Sequence, residues 1–157
     1  MLISWIDPNI ISAGGIPVSV ENMQALRDQG VRAIITLTEH PLTALKALTE
    51  EVLTEMGFET LHVSVNDQHP PTKQQAQQVA DFVKQMQAQH KPVYIHCAAG
   101  IGRTGTVLHA LYLLMGHDLE TVKDKIKTTR PTSQFFMLSD TQKAFLEKLA
   151  KDLSAEG

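Results

Sequence analysis

Along the first two thirds of the chain, short β-branched and aliphatic runs alternate with stretches in which apolar residues recur every three or four positions. Runs of the first kind predict buried strands, and stretches of the second predict amphipathic helices packed on them. Leu2 to Ile6 and Ile10 to Ala13 read as two short strands broken by Asp7-Pro8-Asn9, a turn by composition, and so as an edge hairpin. Ser19 can cap a helix over about 20–29, where Val20, Met23 and Leu26 share a face and Gly30 stops the run. Val31 to Leu37 is a β-branched strand. A second helix over about 43–56, with Leu45, Leu48, Val52 and Leu53 inward, stops at Gly57, and Phe58 to Val63 is the next strand. Thr72 caps a helix whose Val79, Phe82, Val83 and Met86 step by three and four, and the apolar run Pro92-Val93-Tyr94-Ile95 follows as a strand. The remainder predicts helices at Thr106 to Met115, closed by Gly116, then from Asp118 through Thr128, ended by Arg130-Pro131. A last helix runs from about Ser139 to Leu153 and buries Phe145, Leu146 and Leu149.

Strands alternating with helices imply an α/β fold, a mostly parallel central sheet covered by helices on both faces. Ligands of such sheets gather at the carboxyl ends of the strands. Three loops leave those ends, at Thr38 to Pro41, at Ser64 to Pro71, and in the segment after Ile95. With 157 residues and no repeat or linker, one domain over 1–157 is expected. A net charge of -3 argues against a generic attraction to nucleic acid or anionic membrane, so any anion site must be local, and a monomer is expected. No apolar run has spanning length and the N-terminus lacks a basic lead, which together suggest a cytoplasmic protein. Cys97 is the one cysteine, so no internal disulfide can form, and His62, His90, His109 and His117 show no paired spacing; neither metal nor cofactor is expected.

The chemistry concentrates in His96-Cys97-Ala98-Ala99-Gly100-Ile101-Gly102-Arg103-Thr104-Gly105. A strand, a glycine-containing turn and a helix start aim the backbone N–H groups of residues 98 to 103 at one point, where the helix dipole adds partial positive charge. A tetrahedral oxyanion fits such a cup. Gly100 and Gly102 are expected to occupy positions that a Cβ would obstruct, and Gly105 to let the helix pack near the sheet. Arg103 closes the ring with a planar fork that can bond two phosphoryl oxygens. Cys97 lies at the bottom, where the same donors favour its thiolate, a nucleophile placed for in-line attack on phosphorus.

His-Cys, five residues, Arg, then Thr-Gly resembles the signature loop of the cysteine-dependent protein tyrosine phosphatases, and the short chain resembles their small atypical dual-specificity branch. That resemblance implies a tyrosine-phosphatase-like fold. It also implies that His96 helps to hold the thiolate and that the Thr104 hydroxyl eases its departure from the phosphoenzyme. Thr36-Leu37-Thr38-Glu39 looks like the corresponding strand end in that family, which gives Glu39 a place at the pocket rim. Gln142, three residues before Phe145, resembles the family's water-positioning glutamine.

Expelling an alkoxide or phenolate oxygen needs an acid beside it, worth roughly 10²–10⁴ in rate. Asp67 is the candidate, on a loop stiffened by Pro70-Pro71 that must cross the pocket mouth, with Glu39 and His40 as competitors from a neighbouring strand and His69 at the pocket edge. Val65 to Pro71 also resembles the acid loop of small dual-specificity phosphatases, with Asn66 where many relatives carry proline. The expected reaction is hydrolysis of phosphotyrosine, and of phosphoserine or phosphothreonine in a shallower pocket, through a cysteinyl-phosphate. Phosphoinositide or RNA 5′-phosphate hydrolysis is the enzymatic alternative, and it ranks lower because Ala98, Ala99 and Ile101 put no lysine in the cradle. The other alternative is a phosphate-binding module without turnover, which would need the cup but not Cys97, Arg103 and Asp67 together.

Overall fold

In the computed structural model, which describes residues 1–156, the strands are β1 (Ser4–Asp7), β2 (Ile11–Gly14), β3 (Ala33–Thr36), β4 (Glu59–His62) and β5 (Val93–His96). They form one sheet in the order β1-β2-β5-β3-β4. Only the edge pair β1 and β2 is antiparallel, as the hairpin reading required; all other neighbours are parallel. The last strand to appear in the chain is therefore the central one. Val93 is in register with Ile11 on one side and Ala33 on the other, and His96 with Gly14 and Thr36.

Side chains alternate across these strands and feed two cores. Ile34 and Tyr94 point to one face, where α1 (Val20–Asp28) and α2 (Glu50–Glu55) bring Met23, Leu26 and Leu53. Ala33, Ile35, Val93 and Ile95 point to the other, against α3 (Lys73–Ala88), α4 (Gly102–Leu114), α5 (Leu119–Thr129) and α6 (Asp140–Glu156). Ser19, Thr72 and Asp118 cap α1, α3 and α5 through their side chains, and Thr72 does so in a reciprocal box with Gln75. Among the described residues no helix is long and apolar enough to cross a membrane.

Two helices differ most from their predicted bounds and one core residue from its predicted burial, each for a local reason. The helix expected over 43–56 is a 3-10 turn at Leu42–Ala44 and then the short α2. Thr49 accepts a hydrogen bond from the Val52 amide at 3.2 Å, which starts the helix there, while Leu48 is already buried by a turn closed on the Leu45 carbonyl. α4 starts at Gly102, not Thr106, because the Gly105 amide bonds the Ile101 carbonyl at 2.8 Å. The first turn of α4 is thus the second half of the signature segment, and Arg103 and Thr104 belong to the helix. In α6, Leu146 and Leu149 are buried as expected, but Phe145 only partly, since it packs at the margin of the core.

Candidate active site

The carboxyl end of β5 delivers Cys97 directly beneath the start of α4. Four carbonyls of the segment between them, those of Cys97, Ala98, Gly100 and Ile101, find donors. The Cys97 carbonyl accepts from His96 Nδ1 at 2.9 Å and the Ala98 carbonyl from the Ile16 amide at 3.1 Å. The Gly100 carbonyl accepts from Arg130 Nη2 at 2.7 Å, from Arg130 Nε at 3.1 Å and from Ser133 Oγ at 2.9 Å. The amides of residues 98 to 103 have no acceptor among the described residues, which leaves them free for an anion above Cys97 at the start of α4. Cys97 itself is buried, and Thr104 Oγ1 donates to its Sγ at 3.2 Å.

The glycines divide unevenly. Gly100 sits at φ +76 and an added Cβ would lie 2.2 Å from the Gly14 carbonyl oxygen, so this position excludes a side chain twice over. Gly102 does not: its Cβ would meet only the Gln142 amide group, at 3.4 Å, because it already has helical geometry. Gly105 lets α4 approach a loop and not the sheet, since its Cβ would stand 2.7 Å from the Ser133 carbonyl and 2.9 Å from Leu138.

Arg103, only 5% exposed, reaches over the cup from the first turn of α4. Nη1 donates to Glu39 Oε1 at 2.5 Å and to the Val65 carbonyl at 3.0 Å. Nε makes no hydrogen bond, and Nη2 stands 3.7 Å from Asp67 Oδ1. One side of the fork is thereby tethered, and the Nε and Nη2 side is left for an oxyanion to grip bidentately. Its own backbone amide and the Arg103 guanidinium hold the Glu39 carboxyl below the ordinary carboxylate range. Glu39 sits at the rim as expected, and beside it opens a 530 Å³ cavity lined by Ile16, Thr38, His40, Pro41, Ala44 and Leu45.

His96 is buried between β3 and the signature loop. A carbonyl can only accept, so Nδ1 carries the proton and Nε2 accepts from Thr36 Oγ1 at 2.8 Å. Burial lowers its pKa to about 4, so the ring is neutral near pH 7 and orients the loop by hydrogen bonding, without charge. Gln142 is buried on the first turn of α6 against Gly102, where its Oε1 accepts from the Ser139 amide at 2.9 Å and its Nε2 donates to the His69 carbonyl at 3.3 Å. His69 Nδ1 donates to the Asp67 carbonyl at 2.9 Å. Ala98 and Ala99 are exposed at the mouth, and Ile101 is half-buried.

Four contributors were not legible as such. Arg130 reads in sequence as the end of α5, yet its guanidinium spans from Gly100 to Ser4 Oγ. Ser133 and the pair Gly14-Gly15 look like ordinary turn residues. Tyr94 looks like a core strand residue, and burial raises its pKa while its hydroxyl donates to the Gly15 carbonyl at 2.5 Å. The one available signal was the Gly-Gly pair after β2, a place where another backbone can approach closely.

Comparisons with known proteins identify the family of the chain and its fold. The model of a family described as a polymorphic toxin system DSP-PTPase phosphatase matches residues 12–117. Human phosphatidylglycerophosphatase and protein-tyrosine phosphatase 1 is 31% identical over 113 residues, which cover 71% of this chain and 55% of the human protein. The mouse protein of the same name is 26% identical over 143 residues, 90% of this chain and 73% of its own length. The chain thus spans little more than half the length of the human relative. Among solved structures, PTPMT1 in complex with PI(5)P superposes with a TM-score of 0.81 at 24% identity, over 98% of this chain and 97% of its own. Human DUSP28 does so with a TM-score of 0.77 at 16% identity, over 99% and 100%. These structural likenesses establish the tyrosine-phosphatase-like fold.

Proposed function

We propose, for a chain that belongs to the DSP-PTPase phosphatase family of polymorphic toxin systems, the hydrolysis of phosphate monoesters through a cysteinyl-phosphate intermediate. The observation that carries the reading is the thiol of Cys97, held by the Thr104 hydroxyl in a loop whose amides, from residue 98 to 103, have no acceptor among the described residues, with the unbonded Nε of Arg103 beside it. The Cys97 thiolate attacks phosphorus, the S–P bond forms and the P–O bond breaks, and Asp67 passes its proton to the departing oxygen. Water then attacks the phosphocysteine while Asp67, now ionised, takes its proton. The S–P bond breaks, inorganic phosphate leaves, and the Thr104 hydroxyl stabilises the thiolate that reappears. The amides of Ala98, Ala99, Gly100, Ile101 and Gly102, together with Arg103, hold the charge of the equatorial oxygens through both steps. Glu39 sets the orientation of Arg103, and Gln142 steers the hydrolytic water in this reading.

Phosphotyrosine in a protein is the substrate this reading favours, with phosphoserine and phosphothreonine next. Arg103 is the cation over the mouth of the cradle, Arg130 is engaged with the Gly100 carbonyl, and the rim carries Glu39 and Asp67, a poor setting for a polyanionic headgroup. A lipid phosphate is the second reading, supported by relatives named phosphatidylglycerophosphatase and by the PTPMT1 complex with PI(5)P. Initial rates on a phosphotyrosine peptide, a phosphoserine peptide and vesicles carrying a phosphoinositide monophosphate decide between them. Faster turnover of the vesicles than of either peptide would replace the protein substrate with the lipid. Cys97→Ser should abolish turnover on all three and still bind vanadate, because the amide cup and Arg103 survive. Residual turnover near the parent rate would remove the covalent intermediate from the mechanism.

A further inference from the structure

We infer that Ser139, at the start of α6, is a positioning residue that aims Asp67 through the carbonyl of Gln68; the inference rests on the reading of Asp67 as the acid. The loop between β4 and α3 is exposed, yet six consecutive carbonyls along it are occupied. Those of Ser64, Val65, Asn66 and Asp67 accept from Gln75 Nε2, Arg103 Nη1, the His69 amide and His69 Nδ1. The last two are held from α6. The Gln68 carbonyl accepts from Ser139 Oγ at 2.7 Å and from Thr141 Oγ1 at 3.3 Å, and the His69 carbonyl from Gln142 Nε2 at 3.3 Å.

The placement matters because of what Asp67 lacks. Its carboxylate is 71% exposed and its nearest ionic neighbour, Arg103 Nη2, is 3.7 Å away, so its side chain makes no hydrogen bond that would fix its direction. Its aim comes from the backbone. The next residue, Gln68, stands at φ +64, a conformation that L side chains rarely adopt and that persists only where surrounding contacts over-determine it. The shortest of those contacts is the Ser139 hydroxyl. That hydroxyl also accepts from the Gln142 amide at 3.3 Å, so a single oxygen caps α6 and fastens the acid loop.

The two duties separate by substitution. Ser139→Asp keeps an oxygen to cap the helix but has no proton for the Gln68 carbonyl, whereas Ser139→Thr keeps both. The experiment compares these variants, alone and with Asp67→Asn, on phenyl phosphate and on 4-nitrophenyl phosphate, whose phenolate leaves with little help. Ser139→Thr should stay within about twofold of the parent, and Ser139→Asp should lose about tenfold on phenyl phosphate and less than about threefold on the activated ester. In the Asp67→Asn background Ser139→Asp should cost nothing further. Parental rates for Ser139→Asp, equal losses on both esters, or a full further loss beside Asp67→Asn would overturn the inference and leave Ser139 a helix cap. Amide hydrogen exchange is read on the same proteins: Ser139→Asp should speed exchange at His69 while α6 stays protected, and unchanged exchange at His69 would also overturn it. Asp67→Asn without a leaving-group gradient would instead remove the acid role of Asp67, and with it any acid for Ser139 to aim; the exchange result would then decide whether Ser139 fastens the loop.

Discussion

Gly100→Ala and Gly102→Ala add the same methyl group two residues apart in the signature loop, and the structure predicts opposite outcomes. At position 100 the chain is left-handed, with φ +76, which costs about 1–2 kcal/mol for an L side chain. The new Cβ would also stand 2.2 Å from the Gly14 oxygen and 2.5 Å from its carbonyl carbon. These are backbone atoms of the strand beside β5, with no side chain that could swing away, and such overpacking adds about 1–3 kcal/mol. Against this, alanine restricts the unfolded chain and returns about 0.4–1 kcal/mol. The net loss is about 1–5 kcal/mol, which in a domain of this size lowers the melting temperature by roughly 2–20 °C. The methyl also pushes at Arg130 Nη2, 2.7 Å away, so the brace on the Gly100 carbonyl loosens and the loop amides lose their arrangement. Vanadate affinity should then fall by about tenfold or more, the equivalent of one lost charge-assisted hydrogen bond. At position 102 the backbone is helical and the methyl meets only the Gln142 amide at 3.4 Å, so stability should be unchanged or rise by about 0.4–1 kcal/mol. Urea and thermal melts with vanadate titrations on both variants provide the measurement. Equal melting of the two, or parental vanadate affinity in Gly100→Ala, would refute the packing of the loop against Gly14.

Arg103→Lys should lower turnover by about 10²–10³-fold although charge is kept, since a point charge cannot bond Glu39, the Val65 carbonyl and two phosphoryl oxygens at once. Parental kinetics would remove the bidentate grip. Glu39→Gln should weaken rates about evenly across a series of aryl phosphates, as befits a residue that orients Arg103; a steeper leaving-group dependence than that of Asp67→Asn would make Glu39 the acid. Stability should fall as the pH drops from about 6.5 toward 4. His96 is buried neutral with its pKa lowered to about 4, so in that window the unfolded state binds the proton and the folded state does not. His109 is lowered too, chiefly by burial, and adds the same sign. Urea midpoints that do not move between pH 7 and pH 5 would contradict the buried neutral rings.

The parts of this protein that lie in one continuous segment were readable from the chain. Cys97, Arg103 and Thr104 fall within eight residues, and the alternation of strands and helices was enough to bring Glu39 and Asp67 to the same sheet edge. The parts assembled across distance were not. Nothing near Arg130 or Ser133 signals that both converge on the Gly100 carbonyl, because that meeting depends on how α5 leaves the sheet. Ser139 was legible as a helix start, while its second bond, to Gln68 seventy-one positions away, was invisible. Helix bounds failed where two signals competed. The leucines 45 and 48 kept helical spacing, but the Thr49 cap dictated a later start, and Gly102 looked like loop because glycine is a weak helix former even where it opens a helix.

The position of β5 has a consequence for the order in which the molecule comes into being. Its partners are Ile11–Gly14 and Ala33–Thr36, so each ladder joins residues some sixty to eighty positions apart, and β2 and β3 do not touch one another without it. A growing polypeptide that has reached only residue 90 contains the residues of the β1–β2 and β3–β4 pairs but not the strand that joins them. Contacts of such high sequence separation form late and slowly. The reactive thiol, one residue beyond that joining strand, therefore becomes a nucleophile in a phosphate cradle only as the two halves of the sheet are zipped together. Synthesis and refolding alike leave it an ordinary thiol, without a phosphate cradle, until the scaffold that directs it is nearly whole.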